Sequence, residues 1–189
     1  GLPIVTIATT SGTGSEINCW GVISNLETKE KIGFGYPELT PVLAIVDPEL
    51  MKTVPAQYTA YQGFDALFHS TEGYLNRTAT PISDIYALKA ISLIGKSLAA
   101  AVEDGTDLQA REDVALANTI SGMVETTSGC TWEHSLEHAL SAFHPELPHG
   151  AGLIMISLAY YTHFAKSGAC DGRMVEMAKA LGKADAAQP

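Results

Sequence analysis

The sequence is poor in basic residues, and charged residues of either sign are sparse. It has 11 Lys and Arg against 21 Asp and Glu, for a formal net charge of −10. Nucleic acids and anionic lipid surfaces both select proteins with a basic face, so we expect neither a nucleic-acid partner nor a membrane. Only 17% of the residues are charged and 46% are apolar. This balance predicts a folded protein with a substantial core rather than a disordered chain.

Cysteines and long apolar runs are also scarce. Cys19, Cys130 and Cys170 are scattered, with no CxxC pair. An odd, dispersed set argues against a disulfide framework and favours a reducing, cytoplasmic location. The longest apolar run, residues 152–161, has about half of the roughly 20 residues that a membrane-spanning helix needs. No basic segment followed by an apolar one opens the sequence, so we expect no signal peptide.

The sequence changes character near residue 56. Before it, residues 2–8 (LPIVTIA) predict a buried strand, residues 20–23 and 41–46 predict two more, and a charged turn runs through Glu27 and Lys31. After it, the apolar spacing predicts helices over residues 57–75, 83–98, 108–127, 131–142, 151–164 and 172–181, with Gly63 as a weak point in the first. We therefore predict a mainly α protein with a small β segment at its start. An opening strand with no earlier partner also suggests a piece of a longer protein.

One helix carries a possible pair of metal ligands. Asp65 and His69 are four residues apart, so a helix places both side chains on one face, one turn apart. A carboxylate with neutral imidazoles suits Fe²⁺, Zn²⁺ or a similar ion better than calcium or magnesium. Taken alone, such a pair is more often a surface pair or a local hydrogen bond than a metal site.

Histidines are concentrated in one short stretch. Four of the six in the chain are His134, His138, His144 and His149. Each alone could be an ordinary helix or loop histidine, but their concentration after an Asp-x3-His helix favours a shared site. His144 is the main rival of His149 for a ligand role, and we interpret His163, late in an apolar helix, as structural.

The polar turn over residues 9–16 (TTSGTGSE) is a second candidate site. Hydroxyls and backbone N–H groups in such a turn can hold a phosphate group. The turn is not a P-loop, because no Gly-Lys-Ser/Thr follows, and Ile17 occupies the third glycine position of the dinucleotide fingerprint. A tight turn between two strands explains it equally well.

Taken together, these segments resemble the iron-containing alcohol dehydrogenase family. The motifs that carry the resemblance occur in order: residues 9–16 (TTSGTGSE), 44–50 (AIVDPEL), 63–69 (GFDALFH), 134–142 (HSLEHALSA) and 148–150 (PHG). The stretch over residues 132–142 looks most like the butanol dehydrogenase and aldehyde reductase branch. Trp132 and Glu133 replace smaller residues of many relatives, so we expect them to reshape the substrate pocket.

The resemblance implies the helical metal-binding domain of a dehydroquinate synthase-like fold. Residues 1–55 would be the C-terminal edge of the nucleotide-binding α/β domain, and residues 56–189 a truncated catalytic domain. The family pattern implies that Fe²⁺ or Zn²⁺ is bound and that NAD or NADP is the nucleotide. The residues that match the family's ligand positions are Asp65, His69, His134 and His149; those that match its nucleotide contacts are Thr9, Thr10, Thr13 and Lys31; and His138 would be catalytic, near the nicotinamide.

The implied reaction interconverts an alcohol and an aldehyde or ketone by hydride transfer, with a small alcohol or aldehyde as substrate. A homo-oligomer is expected as well. Two alternatives stay open: a metal-dependent lyase of the dehydroquinate synthase type, and a metal-binding domain without turnover. The lyase would need a Lys- and Arg-rich pocket for a sugar-acid phosphate, and no lysine or arginine adjoins the histidine motifs. The identity of the substrate does not follow from the sequence.

Overall fold

A computed structural model describes residues 2–189, so Gly1, part of the predicted first segment, lies outside the described residues. Within them, four short strands precede six α-helices. The strands are β1 (Val5–Ala8), β2 (Trp20–Asn25), β3 (Glu30–Gly35) and β4 (Leu43–Val46). The helices are α1 (Ala56–Leu75), α2 (Pro81–Glu103), α3 (Leu108–Ser128), α4 (Trp132–Phe143), α5 (His149–Ser167) and α6 (Asp171–Ala180). The mainly α fold class predicted from the sequence is confirmed.

The strands form two separate two-stranded sheets. β1 pairs with β4 in parallel, with Val5 opposite Leu43. β2 and β3 form an antiparallel hairpin that packs against α4. The prediction of a buried first strand is wrong within this chain: Val5 and Ile7 are each more than half exposed, because β4 covers only one edge of β1. The prediction of a turn through Lys31 is also wrong, since Lys31 lies in β3 opposite Ser24.

α1, α2 and α3 pack against one another and form the core. α2 begins at Pro81 behind a capping box of Thr80 and Ser83, in which each side chain binds the other residue's backbone N–H. By length and composition alone α2 could cross a membrane, with a mean hydropathy of 1.5. Its residues Ala87, Ala90 and Ile91 are nevertheless fully buried in the core between the helices.

Close helix contacts depend on two glycines in particular. At Gly63 the side chain of Leu98 lies where a β-carbon would be, so the predicted weak point in α1 is a packing contact with α2. At Gly150 a β-carbon would lie 2.2 Å from the backbone oxygen of Tyr61. The first turn of α5 therefore approaches the backbone of α1 closely, and this approach determines where His149 lies.

Candidate metal centre

Four side chains converge where α1, α4 and α5 meet. Oδ1 of Asp65 lies 3.7 Å from Nε2 of His69, which is one turn further along α1. The same oxygen lies 3.2 Å from Nε2 of His134 on α4 and 3.5 Å from Nε2 of His149, the first residue of α5. One carboxylate oxygen therefore faces three imidazole nitrogens from three helices. Asp65, His69 and His134 are buried, while the side chain of His149 is 30% exposed.

The other ring nitrogen of each histidine is held by an acceptor outside this cluster. The Nδ1–H of His69 donates to the carbonyl oxygen of Gly12 at 3.2 Å. The Nδ1–H of His134 donates to Glu72, and that of His149 donates to Glu137. Because carbonyl and carboxylate oxygens only accept, each Nδ1 carries a proton, so each imidazole, when neutral, presents the lone pair of Nε2 on the side of Asp65. Metal-binding histidines are oriented in this way by their outer partners.

The charges of the cluster suit a cation. Burial alone would raise the pKa of Asp65, but the surrounding His69, His134 and His149 hold it far below its usual range. Burial lowers the pKa of His69 to about 4, against the opposing effect of Asp65. An ionised carboxylate and a neutral imidazole are the forms that bind metals. Three imidazole nitrogens and one carboxylate oxygen fit Fe²⁺ or Zn²⁺.

The structure separates the two rival histidines. His144 caps the end of α4, its side chain is 58% exposed, and its Nδ1 lies 3.4 Å from Glu146. Only His149 of this pair lies near Asp65.

His138 lies beside the cluster rather than within it. Its ring centroid is 5.5 Å from that of His149 and 6.5 Å from that of His134. Burial, followed by the charge of Lys31, lowers its pKa to about 4. One of its ring nitrogens lies within 4.8 Å of ligand atoms of Glu137 and His149, but those two are already hydrogen bonded to each other. His138 is therefore a neutral imidazole that lines the cavity.

A cavity of about 690 Å³ opens onto the four side chains. Asp65, His69, His134 and His149 all line it, together with His138. Of the residues predicted to contact a nucleotide, Thr13 and Lys31 line it as well. Thr9 and Thr10 are exposed and do not.

Lys31 reaches the site from β3. Its ammonium group donates to Glu137 at 2.9 Å and to Ser141 at 2.8 Å, and it lies 3.2 Å from Nδ1 of His149. The side chain is 13% exposed and that of Glu137 is fully buried. The hairpin β2–β3 thereby fixes the carboxylate that orients His149.

Sequence reasoning missed four residues of the site: Glu72, Glu125, Cys130 and Glu137. Glu72 lies three residues after His69 and Glu137 three after His134, so helical spacing could have placed both on the same faces as the ligands. Glu125 and Cys130 line the cavity, and nothing in their sequence context marks them.

Trp132 and Glu133 do not shape this cavity, so that expectation was wrong. Trp132 packs against Tyr160 and Phe164, on the side of α4 that faces α5. Glu133 is fully buried, and no hydrogen-bond partner reaches its carboxylate among the described residues. The helical turn directs both side chains away from the face that carries His134 and His138.

Two family models match most of this chain. The model described as "Fe-containing alcohol dehydrogenase family, C-terminal" matches residues 59–188, and that described as "Iron-containing alcohol dehydrogenase" matches residues 1–48. The chain is 42% identical to Alcohol dehydrogenase 4 of Saccharomyces cerevisiae over 149 residues, which are 79% of this chain and 39% of the yeast protein. It is 40% identical to the NAD-dependent methanol dehydrogenase of Bacillus methanolicus, again over 79% of this chain and 39% of that protein.

A solved structure shares the fold closely. It is a mutant of an archaeal halo-thermophilic alcohol dehydrogenase from a Red Sea brine pool, with a TM-score of 0.91 and 37% identity. The match covers 96% of this chain and 45% of that one.

The helical domain brings one aspartate and three histidines together, and a family model matches it over most of its length. The chain belongs to the iron-containing alcohol dehydrogenase family. It spans about two fifths of the length of the curated relatives reported above.

Proposed function

We propose that this chain is the metal-binding, substrate-binding part of an NAD(P)-dependent alcohol dehydrogenase. The observation that carries the proposal is the convergence of three Nε2 atoms on one oxygen of Asp65, each imidazole oriented by its own acceptor. Asp65, His69, His134 and His149 would hold Fe²⁺ or Zn²⁺. When bound, the metal supplies a Lewis acid that polarises an alcohol or carbonyl oxygen, and the nicotinamide exchanges the hydride.

The residues around the cluster supply position and proton control. Glu72, Glu137 and the Gly12 carbonyl keep the three histidines in the tautomer that leaves Nε2 free. His138, neutral and beside the cluster, would accept the proton that an alcohol loses as hydride leaves. Thr13 and Lys31, on the cavity wall, are candidate contacts for the nucleotide, and Thr9 and Thr10 would contribute only outside this cavity.

The choice of nucleotide and the division of the chain belong to the same proposal. The Bacillus relative is named as NAD-dependent, which supports NAD. Residues 1–55 would belong to the nucleotide-binding domain and residues 56–189 to the catalytic domain, since α1 begins at Ala56. We also propose a cytoplasmic location and a homo-oligomer.

The lyase alternative is not favoured. A sugar-acid phosphate needs free cations in its pocket, but among the described residues that line the cavity Lys31 is the only lysine or arginine. Its ammonium group is already bound to Glu137 and Ser141.

The test uses the protein that contains this chain, loaded anaerobically with Fe²⁺ or with Zn²⁺. We expect reduction of NAD or NADP by short alcohols that depends on the metal and is lost in the His134→Ala variant. Metal binding without any nucleotide-dependent turnover would instead support the non-catalytic domain.

A further inference from the structure

A carboxyl group that the four-residue cluster does not use faces the same cavity. Glu125 lies in the last two turns of α3 and lines the cavity together with Asp65, His69 and His134. It is half-buried. Carboxylates are expensive to keep in such a place unless something is bound to them.

One oxygen of Glu125 is held firmly. Nδ2 of Asn18 donates to Oε2 at 2.6 Å and also to the carbonyl oxygen of Thr13 at 3.0 Å. The amide oxygen of Asn18 in turn accepts from the backbone N–H of Trp20 at 3.0 Å. Asn18 is 3% exposed, so its amide is fixed on both sides and the carboxyl group of Glu125 is fixed with it.

The other oxygen is free to bind a molecule in the cavity. No donor among residues 2–189 reaches Oε1 of Glu125, and this atom is not one of the fully buried polar atoms that lack a partner. An oriented carboxylate oxygen on the cavity wall is an acceptor that a substrate can use.

We propose that Glu125 is a specificity-determining residue whose free oxygen accepts a hydrogen bond from a second hydroxyl group of the substrate. The site would then prefer short diols and hydroxyaldehydes to alcohols with one hydroxyl group. This inference rests on the proposed function, in which the reacting oxygen binds at the metal centre. A site built to hydrogen-bond a hydroxyl group rejects analogues that lack it, here by about tenfold or more.

The surrounding charges agree with a neutral hydrogen-bond donor as the ligand group. Burial raises the pKa of Glu125, and so do the charges of Asp65 and Glu72 on α1, whereas the charge of His134 on α4 lowers it. Among the described residues that line the cavity, Lys31 is the only lysine or arginine, and its ammonium group is bound to Glu137 and Ser141. A phosphate, carboxylate or sulfonate on the substrate would meet Glu125 without a free lysine or arginine to balance its charge.

The test measures the dissociation constants of substrates in the absence of turnover. The 189-residue chain is loaded with Co²⁺, whose visible absorption spectrum changes when an oxygen ligand joins the site, and is titrated with 1,3-propanediol and with 1-propanol. We expect the chain to bind the diol about tenfold more tightly. The Glu125→Leu variant should bring the ratio of the two dissociation constants close to one. Glu125→Gln keeps an acceptor oxygen but loses the charge, so its ratio should fall between the two.

Glu112→Gln, a change of an exposed glutamate on the same helix, is the matched control and should keep the diol preference. An unchanged ratio in Glu125→Leu, or no preference in the unaltered chain, overturns the inference while leaving the metal centre intact. If Glu125→Leu does not fold, an unchanged ratio in Glu125→Gln has the same meaning. Failure to bind cobalt at all would overturn the proposed function, and this inference with it.

Discussion

Glu72 on α1 accepts the Nδ1–H of His134 on α4, although 62 residues separate them in the chain. The same carboxylate accepts from the hydroxyl and backbone N–H of Thr131 and from the backbone N–H groups of Glu133 and His134. It therefore caps the N-terminus of α4, where negative charge is favoured, and orients a proposed metal ligand at the same time. Burial would raise the pKa of Glu72, but its bonds to His134 and Thr131 lower it.

The first prediction concerns this carboxylate. Glu72→Gln should lower metal affinity about 10- to 100-fold, because an amide orients the His134 ring less firmly than a carboxylate does. Competition titration with a chelator measures the change. Glu103→Gln, at the exposed end of α2, serves as the control and should bind metal as the unaltered chain does. Equal metal affinity in Glu72→Gln would show that Glu72 only caps the N-terminus of α4 and does not orient His134 for metal binding.

The second prediction concerns the buried ion pair of Lys31 and Glu137. Lys31→Met should lower the free energy of unfolding at pH 7 by about 3 kcal/mol, because it leaves a buried carboxylate short of a partner. Burial opposes ionisation of Glu137, but His149 and Lys31 outweigh it and lower its pKa. Its stabilising effect is present above pH 4.5 and is lost as the pH falls through the lowered value, so the difference between variant and unaltered chain should shrink in acid.

Urea unfolding of the metal-free chain at pH 7 and at pH 4 measures that difference. Lys96→Met is the matched control, since Lys96 pairs with Asp113 but its side chain is 68% exposed. Such a pair contributes about 1 kcal/mol or less. Equal losses in the two variants would contradict the structural role of Lys31.

The third prediction concerns Glu125, whose pKa is raised whereas that of Glu137 is lowered. Burial raises the pKa of Glu125 to about 7. A carboxyl group with a raised pKa favours the fold below its unfolded pKa, near 4.5, and that contribution is lost as the pH rises to about 7. Glu125→Gln should therefore gain stability over the unaltered metal-free chain between pH 5 and pH 8. A stability difference that stays constant over this range would refute the raised pKa.

The fourth prediction concerns the close approach of α5 to α1. Gly150→Ala would place a β-carbon against the backbone of Tyr61, so α5 must shift and carry His149 away from Asp65. Metal affinity should fall at least tenfold. Gly172→Ala, in α6, has nothing within 4 Å of the added carbon and should change neither affinity nor fold.

Much of the site could be predicted from the sequence, because helical spacing is a local property. The four-residue step from Asp65 to His69 and the concentration of histidines after residue 133 indicated where the site lies, and the family resemblance implied the four side chains that the fold brings together. The choice between His144 and His149 could not be made in this way, since it depends on where the loop between α4 and α5 ends.

Contacts between residues far apart in the chain could not be predicted from the sequence. The charges around Lys31 suggested a turn, whereas the residue lies in a strand whose position against α4 gives it Glu137 as a partner. Similarly, Trp132 precedes the histidines in sequence but points towards Tyr160, because successive helix residues face different directions. The hydrogen bond from Asn18 to Glu125 joins residues 107 positions apart, and no local pattern indicates it.

The most direct test of the central claim is the metal content of the purified chain, compared with that of His134→Ala and His144→Ala. The account predicts about one iron or zinc per chain, lost in His134→Ala and retained in His144→Ala, because His134 faces Asp65 whereas His144 lies beside Glu146. Full metal content in His134→Ala, or no metal in the unaltered chain even after Fe²⁺ or Zn²⁺ is added, would contradict it.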